Sequence, residues 1–163
     1  MSSALKLKPT NCSDKAIAEM IDTTTWANAF EWQEVRKLGG YFTAYEAQAG
    51  DTLFEEGEQT AYMGLIVSGR IRISKRDSQD RLKSLITLGP SQTFGEQSLI
   101  DASPRSAKAH ALETTRFVVT TRRQLFRLSE KEPALAFKLL WLITQSVSLR
   151  LRNTSYLLVD AGS

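Results

Sequence analysis

Apolar residues change their spacing twice along the 163-residue chain, and each change marks a different kind of element. In Lys15-Ala16-Ile17-Ala18-Glu19-Met20-Ile21 they recur at the three- and four-residue intervals of a helix with one buried face. A second helical stretch, Glu31 to Leu38, stops at Gly39-Gly40. Between about Tyr41 and Thr120 the texture becomes short runs of aromatic and β-branched residues, broken about every eight to twelve residues by turn signals. These are Ala49-Gly50-Asp51, Glu56-Gly57-Glu58, Ser68-Gly69, Asp77-Ser78-Gln79-Asp80 and Leu88-Gly89-Pro90. Within this region Arg70-Ile71-Arg72-Ile73-Ser74-Lys75 alternates cation and apolar residue, which predicts a half-buried strand with Ile71 and Ile73 inward. Such spacing predicts an antiparallel sandwich or barrel.

After Thr120 the pattern is helical again. A short helix is predicted over Arg122 to Leu128, and Glu132-Pro133 opens a long one that runs from Ala134 to about Val159 without glycine or proline. Along it Leu140, Thr144, Val147, Leu151, Thr154 and Leu158 recur alternately four and three apart, the a/d rhythm of a two-stranded coiled coil. This predicts a homodimer through that helix; the competing reading packs the helix along its own β domain. The chain therefore divides into a loose or partner-ordered polar tail (1–14), N-terminal helices (15–40), a mainly β core (41–120) and C-terminal helices (121–163), with the dimerisation helix at about 133–159.

Composition narrows the function classes without choosing one. A hydrophobic fraction of 42% and a charged fraction of 24% are those of an ordinary soluble domain. The single cysteine, Cys12, excludes an internal disulfide, a four-thiolate cluster and a Cys-only zinc site, and suits a reducing cytoplasm. No run of about 18 apolar residues is present and Met1-Ser2-Ser3-Ala4-Leu5-Lys6 has no apolar stretch, so neither a membrane span nor a secretion signal is expected. A net charge of +3 permits an anionic ligand. The clusters Arg122, Arg123, Arg127 and Arg70, Arg72, Lys75, Arg76 read as solvated faces rather than a nucleic-acid surface. His110, the only histidine, reads as a surface or core residue ahead of a metal or haem ligand. Trp26, Trp32 and Trp141 read as packing residues, with Trp141 as an alternative cap for a purine.

The chemistry concentrates in Phe94-Gly95-Glu96-Gln97-Ser98-Leu99-Ile100-Asp101-Ala102-Ser103-Pro104-Arg105-Ser106-Ala107. Gly95 allows close backbone approach to a ligand. An ionised Glu96 is acceptor-only and suits a sugar hydroxyl. One helical turn over Gln97 to Ile100, with Ser98 inside it, would direct free N–H groups at an anion. Arg105 supplies a planar fork for two phosphate oxygens, and Ser106 a further donor. These residue types together describe a cradle for a phosphorylated ribose.

This segment resembles the phosphate-binding cassette of the cyclic-nucleotide-binding domain family. Gly50-Asp51-Thr52-Leu53-Phe54-Glu55-Glu56-Gly57-Glu58 is similar to that family's first glycine-rich hairpin, and Ile66-Val67-Ser68-Gly69-Arg70-Ile71 to its second; the resemblance covers about Tyr41 to Val159. It implies a double-stranded antiparallel β-roll (jelly roll) with flanking helices and a long C-terminal helix. It also implies roles: Glu96 holds the ribose 2′-hydroxyl, Arg105 pairs with the cyclic phosphate, Ser106 and Ala107 complete the cradle, and the glycines at 50, 57 and 69 serve turns. In the catabolite-activator branch, a threonine–serine pair on the long helix touches the adenine, one hydroxyl from each subunit. Thr154 and Ser155 match that pair, and Arg150 falls where an arginine approaches the cassette glutamate. Threonine after the cassette arginine goes with cyclic GMP in several branches, so Ser106 favours cyclic AMP.

The sequence therefore predicts a regulatory sensor module whose ligand is cyclic AMP, with cyclic GMP second, and no metal or other cofactor. After the long helix only Asp160-Ala161-Gly162-Ser163 follow, so no helix-turn-helix is expected in the chain and the output is assigned to an unidentified effector protein. The sensor part of a DNA-binding regulator is an alternative. Another is a nucleotide-free dimerisation or docking scaffold; against it, Glu96 and Arg105 would be buried charges without compensation. An enzyme using Glu96 as general base on the phosphodiester would want a metal or a second acid, and neither His-rich spacing nor a carboxylate cluster is present, so no catalytic residue is assigned.

Overall fold

Ser13 stops the N-terminal run from continuing extended: its hydroxyl accepts from the Ala16 N–H at 3.1 Å and starts helix α1, Asp14–Asp22. In this computed structural model residues 5–162 are described; Met1 to Ala4, which carry most of the predicted absence of a signal and the start of the predicted tail, and Ser163 lie outside them. A 3₁₀ turn, Thr25–Ala29, buries Trp26 and leads to α2, Trp32–Gly39, where the Glu31 and Glu34 carboxylates form a reciprocal capping box. Ile17, Ala18, Ile21, Val35 and Leu38 are the buried faces of these helices.

Eight strands follow: β1 Thr43–Ala47, β2 Thr52–Phe54, β3 Tyr62–Ser68, β4 Ile71–Arg76, β5 Leu82–Leu88, β6 Thr93–Phe94, β7 Lys108–Ala111 and β8 Thr115–Thr121. They pair antiparallel in two four-stranded sheets, ordered β1-β8-β3-β6 and β2-β7-β4-β5, the predicted β-roll. Ile71 is fully buried and Ile73 partly so, as alternation predicted, but a bulge after Ile73 then turns Ser74 inward as well. Two apolar cores result. One fills the roll between the sheets, around Phe54, Tyr62, Ile66, Phe94 and Phe117. The other lies outside the first sheet, where Ala44, Met63, Leu65 and Val118 meet the N-terminal and C-terminal helices. Tyr62 to Ile66 are therefore buried on both faces of β3. Gly64 is required there, because a Cβ would collide with the Phe94 ring.

The expected loose tail differs from what residues 5 to 13 do. Leu5 is buried in the roll core, Pro9 bridges Tyr45, the Thr10 N–H donates to the Ala44 carbonyl at 2.8 Å, and Cys12 is half-buried against the helical core. The edge of β1 carries backbone groups that need partners, and this segment supplies one.

Helix α3, Glu96–Asp101, interrupts the roll, and α4, Arg122–Lys131, precedes α5, Pro133–Ala161. Thr121 caps α4 through the Gln124 N–H. The 29 residues of α5 split into unlike halves. Leu135, Ala136, Leu139 and Ile143 are buried against the helical core, whereas every described residue from Leu151 onward is exposed. The a/d stripe is not the face that the roll covers: Leu140, Thr144, Leu151, Thr154 and Leu158 are exposed and Val147 is half-buried. Length and a mean hydropathy of 1.3 alone would let α5 cross a membrane, yet its first half packs on the roll and Arg150 is ion-paired there. Trp26 packs as expected. Trp32 and Trp141 do not: they are 43% and 57% exposed, Trp141 stacking on Phe137 along α5.

Candidate functional site

The site starts where β6 ends. Gly95 takes φ +78°, and a Cβ there would meet Arg105 Nη1 at 2.6 Å and the Tyr62 carbonyl oxygen at 2.7 Å, so only glycine fits. This left-handed residue turns the chain into α3, whose first residue, Glu96, points inward and is 1% exposed. A second left-handed residue, Ala102, ends the helix, and the loop that follows brings Arg105 back beside Gly95.

Arg105 is 3% exposed and holds its charge among protein acceptors. Its Nε donates to Thr60 Oγ1 at 2.6 Å, Nη1 to the Gly95 carbonyl at 2.9 Å and Nη2 to the Tyr62 carbonyl at 2.9 Å. The rings of Phe54 and Tyr62 lie 4.1 and 4.3 Å from the guanidinium carbon, close enough for cation–π attraction to both. Burial lowers the Arg105 pKa, opposed by Tyr62, Glu58 and Glu96. Burial likewise raises the Tyr62 phenol, which donates to the Leu53 carbonyl at 2.9 Å. Backbone bonds add to this: Gly57 N–H donates to the Arg105 carbonyl at 2.8 Å, and Arg105 N–H to the Glu58 carbonyl at 2.9 Å.

Glu96 faces Arg150, which reaches in from α5. One Arg150 terminal nitrogen forms an ion pair with Glu96 Oε1 and the other donates to the Thr93 carbonyl at 2.7 Å. Neither Glu96 oxygen meets a hydrogen-bond donor in good geometry among the described residues, so the carboxylate is balanced in charge but keeps acceptor capacity. The cassette and the long helix are joined at this pair.

Of the residues singled out in the sequence, Gly95, Glu96, Arg105 and Arg150 come together. Ser106 and Gln97 meet at the exposed rim, Oγ donating to Oε1 at 3.1 Å, and Lys75 Nζ donates to the Ser106 carbonyl. Ser98 and Ala107 are buried beneath that rim. Phe94 is fully buried, edge-on to Phe117, and acts from behind by holding β6 in the core. Thr154 and Ser155 are not brought to the cassette by this chain; both are exposed, and their hydroxyls donate to the Arg150 and Leu151 carbonyls one turn back. His110 lies opposite Arg72 on the second sheet, its pKa lowered by burial and by Lys108 and Arg72. Among the described residues, no three His, Cys, Asp or Glu side chains gather in a metal-binding group. Sequence reasoning missed Phe54, Thr60 and Tyr62, the surroundings of Arg105.

Comparison with known proteins agrees with this geometry. The family described as "Cyclic nucleotide-binding domain" matches residues 45–132, which contain the whole cassette. The chain is 33% identical over 111 residues to the "CRP-like cAMP-activated global transcriptional regulator" of Mycobacterium tuberculosis, covering 68% of this chain and 48% of that protein. It is 30% identical over 113 residues to the "Cyclic AMP receptor protein" of Thermus thermophilus, covering 69% and 52%. The chain thus spans about half the length of these relatives. A crystal structure of a cyclic nucleotide-binding domain from Methylobacillus flagellatus superposes with a TM-score of 0.84 at 28% identity, over 95% of this chain and 89% of that one. A β-roll with a buried Glu96 and Arg105 on one cassette, matched over more than half its length, makes this chain a member of the cyclic nucleotide-binding domain family.

Proposed function

We propose that the chain is a regulatory module that binds cyclic AMP in the cassette and signals through α5 to a protein partner, as a homodimer formed along that helix, in the cytoplasm. The observation that carries this reading is the Glu96–Arg150 pair. The group assigned to the ribose is coupled directly to the helix assigned to output, so ligand contact at Glu96 alters what holds α5. A ligand moves α5 only to the extent that it binds two arrangements unequally, and exchange of Glu96 between Arg150 and a ribose hydroxyl provides such a difference. Cyclic AMP is preferred over cyclic GMP on Ser106 and on the Thr154–Ser155 pair, and the printed names of the two relatives point to the same nucleotide. Thr154 and Ser155 are both exposed on α5, which supports an adenine contact shared with a second protomer. The role is binding rather than catalysis.

One observation favours the second reading, a scaffold that takes no nucleotide. Arg105 has partners on all three nitrogens and Glu96 has Arg150, so the argument that these buried charges need a ligand for compensation loses its force. Titration calorimetry with cyclic AMP and cyclic GMP separates the readings. Saturable binding, tighter for cyclic AMP, is expected, and Arg105→Ala should weaken it by roughly 2–5 kcal/mol. No heat with either nucleotide at high micromolar concentration leaves the scaffold.

A further inference from the structure

We propose that Thr60 is the positioning residue of the cassette arginine, fixing which edge of its guanidinium is offered to an anionic ligand; this rests on the reading of the cassette as a nucleotide site. A guanidinium has five N–H groups, and its plane can rotate about the side-chain axis unless its contacts hold it. The Phe54 and Tyr62 rings, edge to face with each other 6.0 Å apart, wall Arg105 on two adjoining sides at 4.1 and 4.3 Å, and leave the direction of its N–H groups to hydrogen bonds. The Gly95 and Tyr62 carbonyls each take one N–H from a terminal nitrogen, and Thr60 Oγ1 takes the single Nε proton at 2.6 Å. What remains is one N–H on each terminal nitrogen, the donors left for an anionic ligand.

Of the three hydrogen bonds, that with Thr60 is the one whose acceptor is a side-chain oxygen, and it is the shortest. It also comes from the loop that pins the Arg105 backbone, through Gly57 N–H to the Arg105 carbonyl and Arg105 N–H to the Glu58 carbonyl. The segment from Gly57 to Thr60 therefore grips both the backbone and the head group of Arg105. Its role is orientation, since the hydroxyl is committed to Nε and the residue is half-buried.

The test measures cyclic AMP affinity and thermal stability in the full chain for Thr60→Val, Thr60→Ser and Arg105→Lys, and for Thr60→Val combined with Arg105→Lys. Thr60→Val keeps the shape and removes the acceptor; it should lower affinity about tenfold with little change in melting temperature, the size expected for one charge-assisted hydrogen bond. Thr60→Ser should restore affinity to within about twofold of the parent. Lysine has no Nε–H fork, so Thr60→Val should have no further effect in the Arg105→Lys background. If Thr60→Val binds cyclic AMP as the parent does, or loses as much affinity in the Arg105→Lys background, Thr60 does not act through Arg105 and the proposal fails on its own. If the parent protein binds no cyclic nucleotide, the functional reading fails first and the proposal falls with it. Should valine disturb the loop, seen as a lowered melting temperature, Thr60→Ala reports the same loss.

Discussion

The cassette and the distal half of α5 were assigned to one site, yet the fold treats them in opposite ways. Arg105 and Glu96 are 3% and 1% exposed, and Arg105 is hydrogen-bonded at every nitrogen. From Leu151 to Gly162 nothing on α5 is buried, although Leu151, Tyr156, Leu157, Leu158 and Val159 are large apolar residues, each at least 66% exposed. The chain buries and pairs the charged residues of the cassette from its own elements and leaves the distal half of α5 bare. An exposed apolar helix end of that length is the part of the molecule on which the proposed dimer would have to form, which makes residues beyond Arg150 the place to test it.

Substitutions on one helix sharpen this contrast most. Leu139→Ala, on the packed half, should cost about 2–5 kcal/mol in denaturant unfolding, because it leaves a cavity in a dense core. Leu151→Ala, on the bare half, should cost less than about 0.5 kcal/mol in dilute protein, and more as concentration rises if a second protomer covers it. A concentration-independent loss for Leu151→Ala equal to that for Leu139→Ala would break the comparison.

A smaller effect comes from the junction. Glu96→Gln removes the counter-charge of Arg150 and should destabilise the chain by roughly 1–3 kcal/mol. The double change Thr154→Ala, Ser155→Ala touches only exposed hydroxyls bonded to their own helix and should leave unfolding of the protomer within about 0.5 kcal/mol of the parent. If that double change also leaves cyclic AMP affinity untouched in calorimetry, the base side of the site is not on α5.

A further small effect is a pH dependence where α5 begins. Glu34 accepts from the Glu31 N–H and from Lys138, and its pKa is lowered, first by the backbone bond and then by Lys138. A carboxylate with a depressed folded-state pKa contributes stability that is present above its ordinary value and is lost as pH falls through the depressed one. At an exposed pair this is at most about 1 kcal/mol, and salt reduces it further. Denaturant unfolding compared between neutral pH and about pH 3 should show a slightly steeper acid loss for the parent than for Glu34→Gln. Identical slopes would remove the pair as an anchor of α5.

The cassette was legible because its chemistry is contiguous: glycine, carboxylate, one helical turn and an arginine lie within fourteen residues, and each type has few other uses in that order. The surroundings of Arg105 were not. Tyr62 and Thr60 stand 43 and 45 positions away in the chain, and only the path of β3 and the loop before it brings them there. Residues 5 to 13 were misread for a related reason. A polar stretch with Leu5 and Leu7 has no periodicity of its own, and the unpaired edge of β1 decided where it lies. Trp32 and Trp141 show that large apolar residues on a helix name a contact face without saying whether the same chain fills it.

By itself the sequence determined the order and kind of the elements, the turns between strands and the residue types of the cassette, since these depend on local periodicity and on backbone preferences a few residues long. Tertiary structure alone decided which carbonyls and hydroxyl hold Arg105 and which face of α5 the roll covers, while the Glu96–Arg150 pair, implied by the resemblance, is seen in the fold. Apolar residues surround most of that helix, so its pattern permits several packings. The one adopted depends on which side meets the outer face of the first sheet, where Met63, Leu65 and Val118 share one buried cluster with Leu135, Leu139 and Ile143.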